Sequence, residues 1–146
     1  MASTTTLEPF CCLGMACIPH SGPYYVNDAS IVHPVGNQVI QLSLDTSERI
    51  FLLESRLFDK GSRHTKMTAF SVSNDGTFLA LASNRHNDEP ILIVYSLQTN
   101  NELMSFTIPD TGEIHFTAFH RSLKLGLYLV TDPRKYKLAI FDLTTK

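Results

Sequence analysis

One pattern recurs three times along this chain. The segments VIQLSLDT (residues 39–46), LIVYSLQT (residues 92–99) and LAIFDLTT (residues 138–145) superpose on a central leucine, Leu44, Leu97 and Leu143, spaced 53 and 46 residues apart. A second marker also repeats: TAFSVSNDGTFLALAS opens at Thr68 and TAFHRSLKLGLYLVT opens at Thr117, 49 residues later. The two markers share a period and keep a fixed order. A period in the high forties to low fifties suits a repeated four-stranded β unit better than a helical solenoid unit.

The content of each unit is that of strands. FLALA (residues 78–82), ILIVYSL (residues 91–97) and LGLYLV (residues 125–130) are short apolar runs. They are bounded by turn residues such as Ser73-Asn74-Asp75-Gly76, Asn87-Asp88-Glu89-Pro90 and Thr99-Asn100-Asn101. Asp75-Gly76 predicts a tight hairpin, because glycine enters positive φ at low cost. No stretch holds a 3.6-residue apolar period over three turns, so no amphipathic helix is expected. ILIVY lacks polar alternates, which places both faces of that strand against protein. NELMSFTI instead alternates, with Met104, Phe106 and Ile108 on one side and Ser105 and Thr107 on the other. That is the pattern of an outer strand with one wet face.

The expected fold class is therefore all-β, an incomplete β-propeller of about two and three-quarter four-stranded blades. Residues 1–19 read as a loose N-terminus, and residues 20–146 as a partial propeller with blades at about 20–55, 67–108 and 114–146. Residues 55–66 read as a polar connector in which Lys60, Arg63, His64 and Lys66 make a small basic cluster, read as a solvated loop with a partner site as the alternative.

Composition narrows the function classes. The formal net charge is −2, which argues against a nucleic-acid binder relying on phosphate neutralisation. No run of 18 apolar residues is present, so no transmembrane helix is expected. The three cysteines, Cys11, Cys12 and Cys17, crowd one end, unlike a secreted disulfide framework, and point to a reducing compartment. The histidines His20, His33, His64, His86, His115 and His120 show no ligand spacing with them. Neither a G-x-S-x-G nor a phosphate-cradling G-x-x-x-x-G-K occurs. Asp59, Asp75, Asp88, Glu89, Asp110 and Glu113 are read as solvated turn residues. The sequence thus nominates no catalytic, cofactor-binding or metal-ligating residue, and the expectation is a chain that is not an enzyme and binds no small-molecule substrate.

The order of motifs resembles that of WD-repeat proteins. IFD at Ile140 to Asp142 stands where that family carries an apolar residue followed by Trp-Asp, with VYS at Val94 to Ser96 and QLS at Gln41 to Ser43 as weaker versions. The block YYVNDASIVHPVGNQVIQLSLDTSERIFLL (residues 24–53) is similar to the first blade of ciliary WD-repeat proteins, the cilia- and flagella-associated protein 57 group. SVSNDGTFLALA (residues 71–82) and PILIVYSL (residues 90–97) follow in that group's order. The chain departs from the general WD pattern in having no tryptophan and no Gly-His pair ahead of a blade. It also lacks the second propeller and the heptads of that group. PFCCL (residues 9–13) stands where the resemblance implies a strand that closes the ring.

What the resemblance implies is a cytoskeletal scaffold of the cilium or flagellum axoneme, organising or docking inner dynein arms, with protein partners and no cofactor. It transfers no site residue. The alternatives are a fragment of a propeller enzyme, or a short generic WD-repeat interaction protein outside cilia, adding a strand at the edge YKLAIF (residues 136–141). A ring cut after about two and three-quarter blades is expected to leave two blade faces bare, and the stop at Lys146 reads as a fragment, truncated gene model or short isoform. At about 25 cal/mol per Å², a few hundred Å² of uncovered apolar surface forfeits on the order of 10 kcal/mol, comparable with a domain's whole stability. The isolated chain is therefore expected to be marginal, to aggregate, or to pair with something.

Overall fold

The computed structural model describes residues 22–35, 38–52, 66–84, 90–108, 112–121, 125–132 and 135–142. The N-terminal 1–19 segment with its cysteines, His20, His64, His86, Asp59, Asp88, Glu89, Asp110 and the connector up to residue 65 lie outside them. Among the described residues, eleven strands run in chain order. They are β1 (Tyr24–Asn27), β2 (Ser30–Val35), β3 (Gln38–Ser43), β4 (Arg49–Phe51), β5 (Lys66–Val72), β6 (Phe78–Asn84), β7 (Pro90–Ser96), β8 (Asn101–Thr107), β9 (Glu113–Phe119), β10 (Leu125–Asp132) and β11 (Lys135–Asp142). No helix occurs among the described residues.

The strands form three antiparallel meanders, β1-β2-β3-β4, β5-β6-β7-β8 and β9-β10-β11. Each is one repeat unit. The three leucine-centred segments fall on the third strand of each sheet, so that Leu44 and Leu97 stand just past the ends of β3 and β7. The sheets stack side by side. β1 meets β5, and β9 packs against β5 and β6, so the first strands of successive sheets lie together. This is blade stacking about a common axis.

Two apolar clusters fill the gaps between blades. The first joins Val32, Val39 and Leu52 of the first blade to Met67, Phe70, Leu79, Ile93 and Tyr95 of the second. The second joins Ala69, Ala80, Ala82 and Leu92 of the second blade to Ile114 of the third, with Phe106, Phe119 and Phe141 around it. The two faces of the second blade therefore differ in size. Three alanines on the side of the third blade let β9 approach closely, and Ile114 fills the space they leave. β7 is buried along its whole length, as an inner strand sandwiched between two blades requires. β8 alternates between exposed and half-buried residues, with Leu103, Ser105 and Thr107 outward.

Turn chemistry fixes the hairpin β5–β6. Asp75 accepts hydrogen bonds from the Ser73 hydroxyl at 2.6 Å and the Thr77 hydroxyl at 2.8 Å, and from the Thr77 amide at 3.1 Å. The Phe78 amide in turn donates to the Ser73 hydroxyl at 2.9 Å. Gly76 sits at φ +68, and a Cβ there would lie 2.1 Å from the Val26 carbonyl oxygen of β1. The hairpin tip is thus also a contact between blades.

Three expectations need correction. The TAF segments are not equivalent in register. A β-bulge falls at Thr68 in β5 and at His115 in β9, which puts Thr117 in the place of Phe70 rather than of Thr68. Because side chains alternate with period two, a two-residue slip leaves every inward and outward position unchanged, and the matching letters hide it. Second, the two outer blade faces are not equally bare. On the first blade, the face turned away from the second exposes Tyr25 and Phe51 but buries His33, Ile40 and Leu42. Glu113, read as a turn residue, is the first residue of β9.

Candidate interaction surface

The three blades present the same positions to their neighbours, and burial reports which are covered. Val39, Leu92 and Leu138 are equivalent residues on the third strand of each blade, all on the face toward the next blade. Val39 is covered by the second blade and is 0% exposed; Leu92 is covered by the third and is 4% exposed. Leu138 is 62% exposed. The neighbouring pair repeats the contrast, with Val94 at 3% and Ile140 at 61%. From the second blade to the third, apolar identity is retained at both positions, and among the described residues no further blade covers them.

Register places further residues on this face. Leu138 and Phe116 pair with the same β10 residue, Leu129, and Ile140 and Ala118 pair with Leu127. Phe116 is 40% exposed. Phe116, Leu138 and Ile140 therefore form an apolar patch at the end of the blade stack. The opposite side of β11 is turned inward. Phe141 packs its ring on Phe106 of the second blade at 4.5 Å between centroids. The WD-like positions Leu42 and Tyr95 are buried and Phe141 is half-buried, so they serve packing.

Among the described residues, the ionisable groups do not assemble into a site. Glu113 and His115 approach to 3.8 Å on the exposed side of β9, an ion pair only when the imidazole is protonated. Asp75 is exposed in its turn. Burial pushes its pKa up, and the hydrogen bonds from Ser73 and Thr77 outweigh that and hold it below the usual range. His33 is 2% exposed and neither ring nitrogen has a hydrogen-bond partner. Burial lowers its pKa, the Pro34 backbone opposes this, and the Arg49 charge adds to the lowering. Among the described residues, no three His, Cys, Asp or Glu side chains are placed to hold a metal ion, and no helix is long and apolar enough to cross a membrane. His120 is exposed at the end of β9.

No family model and no curated protein matches the chain. Solved structures do. The C-terminal WD40 domain of Sif2 superposes with a TM-score of 0.61 at 13% identity, over 85% of this chain and 34% of that one. A chain of the mitotic checkpoint complex superposes at 0.52 and 12% identity, over 89% of this chain and 40% of that one. A prolyl endopeptidase superposes at 0.57 and 16% identity, over 86% of this chain and 21% of that one. The chain thus spans between about a fifth and two fifths of the proteins it matches. At such identities the likeness concerns architecture alone. Three meandering sheets, stacked on their first strands and superposable on propeller structures that include a WD40 domain, give this chain the fold of a β-propeller, with an incomplete arc of blades among the described residues.

Proposed function

We propose that the chain is a non-enzymatic protein-interaction scaffold of motile cilia or flagella, cytoskeletal in location, that organises or docks inner dynein arms in the axoneme. The observation that carries the scaffold reading is the patch of Phe116, Leu138 and Ile140, whose counterparts in the second blade, Ala69, Leu92 and Val94, are covered by protein. Contiguous exposed apolar surface on a globular domain marks a place where another protein sits. The ciliary part of the reading is supported by the ordered motifs from Tyr24 to Leu97, which resemble the ciliary WD-repeat group.

The test is fractionation of ciliated cells expressing a tagged chain. The proposal expects the tag in detergent-extracted axonemes, co-purifying with inner-arm dynein complexes. A tag wholly in the detergent-soluble cytoplasm would overturn the ciliary reading.

A further inference from the structure

The third sheet has three strands among the described residues, the other two have four, and β11 stands at its edge. We propose that this edge, over Lys137 to Ile140, docks an extended strand of a partner polypeptide. That strand is antiparallel to β11, alternates apolar and polar residues, and carries a carboxylate opposite Lys137. The inference specifies how the scaffold would hold a partner and rests on the scaffold part of that reading, not on its ciliary part.

The template is the second blade. There β8 pairs with β7 so that Phe106 lies opposite Leu92, Met104 opposite Val94, Ser105 opposite Ile93 and Thr107 opposite Ile91. Leu138, Ile140, Ala139 and Lys137 occupy the places of Leu92, Val94, Ile93 and Ile91. A strand docked in the same register sets its apolar residues opposite Leu138 and Ile140. It widens the apolar face as Phe106 and Met104 widen that of the second blade. Backbone hydrogen bonds hold such a strand and alternate side chains select it. Lys137 is the one polar departure from the template: an exposed cation replaces a buried isoleucine. A cation directly opposite a carboxylate is a favourable cross-strand pair.

Charge also separates a partner strand from a second copy of this chain. β11 carries Lys135 and Lys137 against one acid, Asp142. Two such edges meeting would bring four lysines and two aspartates along one seam. Such a seam keeps a net excess of two positive charges, which disfavours it, whereas a strand with a carboxylate opposite Lys137 offsets the charge.

The probe is a peptide with the sequence of residues 101–108 carrying Thr107→Glu, added to the intact 146-residue chain. The proposal expects saturable binding, with amide exchange slowed on β11 and unchanged on β7. The same peptide with Thr107→Lys should bind several-fold more weakly, the size of reversing one cross-strand charge pair. A chain with Leu138→Asp and Ile140→Asp should lose binding at least tenfold. Both side chains are more than half exposed, so exchange on β5 to β7 should stay as it was and report an intact fold. The proposal is overturned by an absence of saturable binding, by protection on β7 instead of β11, by equal binding to the double variant, or by self-association through β11 that the peptide does not compete away. None of these outcomes touches axonemal location, which fractionation reads separately.

Discussion

The Thr117 hydroxyl of β9 donates a hydrogen bond to the Ser71 hydroxyl of β5 across 2.9 Å, between two buried side chains 46 residues apart. Tyr24 of β1 makes the corresponding reach to the second blade. Its hydroxyl donates to the Phe70 carbonyl at 3.4 Å, again across 46 residues, and its ring meets the Phe70 ring edge-on at 5.2 Å. The lateral contact between first strands is thus repeated at one period from blade to blade.

The hydroxyl pair should behave as a unit. Ser71→Ala leaves the Thr117 hydroxyl buried without its partner, and Thr117→Val does the reverse. Each should cost about 1–2 kcal/mol. Removing both hydroxyls should cost less than the sum of the two single changes. Urea denaturation of the three variants measures this; strictly additive costs would show that the two groups are not coupled.

Gly76→Ala should be among the most destabilising alanine substitutions outside the apolar clusters. It demands positive φ from an L side chain and drives a Cβ to 2.1 Å from the Val26 carbonyl oxygen, which is backbone and cannot rotate away. A loss of about 3 kcal/mol or more is expected. Gly22→Ala is the control, since no atom lies within 4 Å of its added Cβ, and should change stability by less than about 0.5 kcal/mol. Thermal melts of the two variants should therefore separate widely.

Stability should fall as pH drops from about 6.5, the unperturbed histidine value. Burial lowers the pKa of His33 in the folded chain. The unfolded chain takes up a proton at higher pH than the folded chain does. Between the two pKa values the unfolded state binds more protons, so stability rises with pH there and is lost on acidification. His33→Leu should flatten the dependence between pH 7 and pH 5, read as urea midpoints. Asp75 acts in a different window. Its lowered pKa gives stability that is present above about pH 4 and lost only below it.

Much of this architecture is written in local patterns. The unbroken apolar run of ILIVY marks β7 as buried on both faces, the alternation of NELMSFTI marks β8 as half-wet, and SNDG marks the β5–β6 hairpin. These read correctly because burial and turn conformation act on a few adjacent residues. The lateral register of the blades was not legible. The repeated TAF letters align Thr68 with Thr117, whereas the bulges at Thr68 and His115 shift the match by two residues, and period-two alternation conceals such a slip. Nor do Ile40 and Leu42 differ in kind from Leu138 and Ile140. All four are aliphatic residues on third strands, and only the arrangement of the whole chain buries the first pair and exposes the second. The candidate surface was legible as an edge at YKLAIF, but its extent over Phe116, Leu138 and Ile140 required the sheet register.

The account stands or falls on equivalent positions in successive blades being covered in one and bare in the next. The most direct measurement is the stability of Leu92→Asp beside that of Leu138→Asp. The account predicts that Leu92→Asp, which buries an unpaired charge between blades, loses about 4 kcal/mol or more and unfolds a marginal chain. Leu138→Asp, at a position 62% exposed, should change stability by less than about 0.5 kcal/mol. Equal losses at the two positions would contradict it, since Leu138 would then be covered as Leu92 is and the third blade would have no open face.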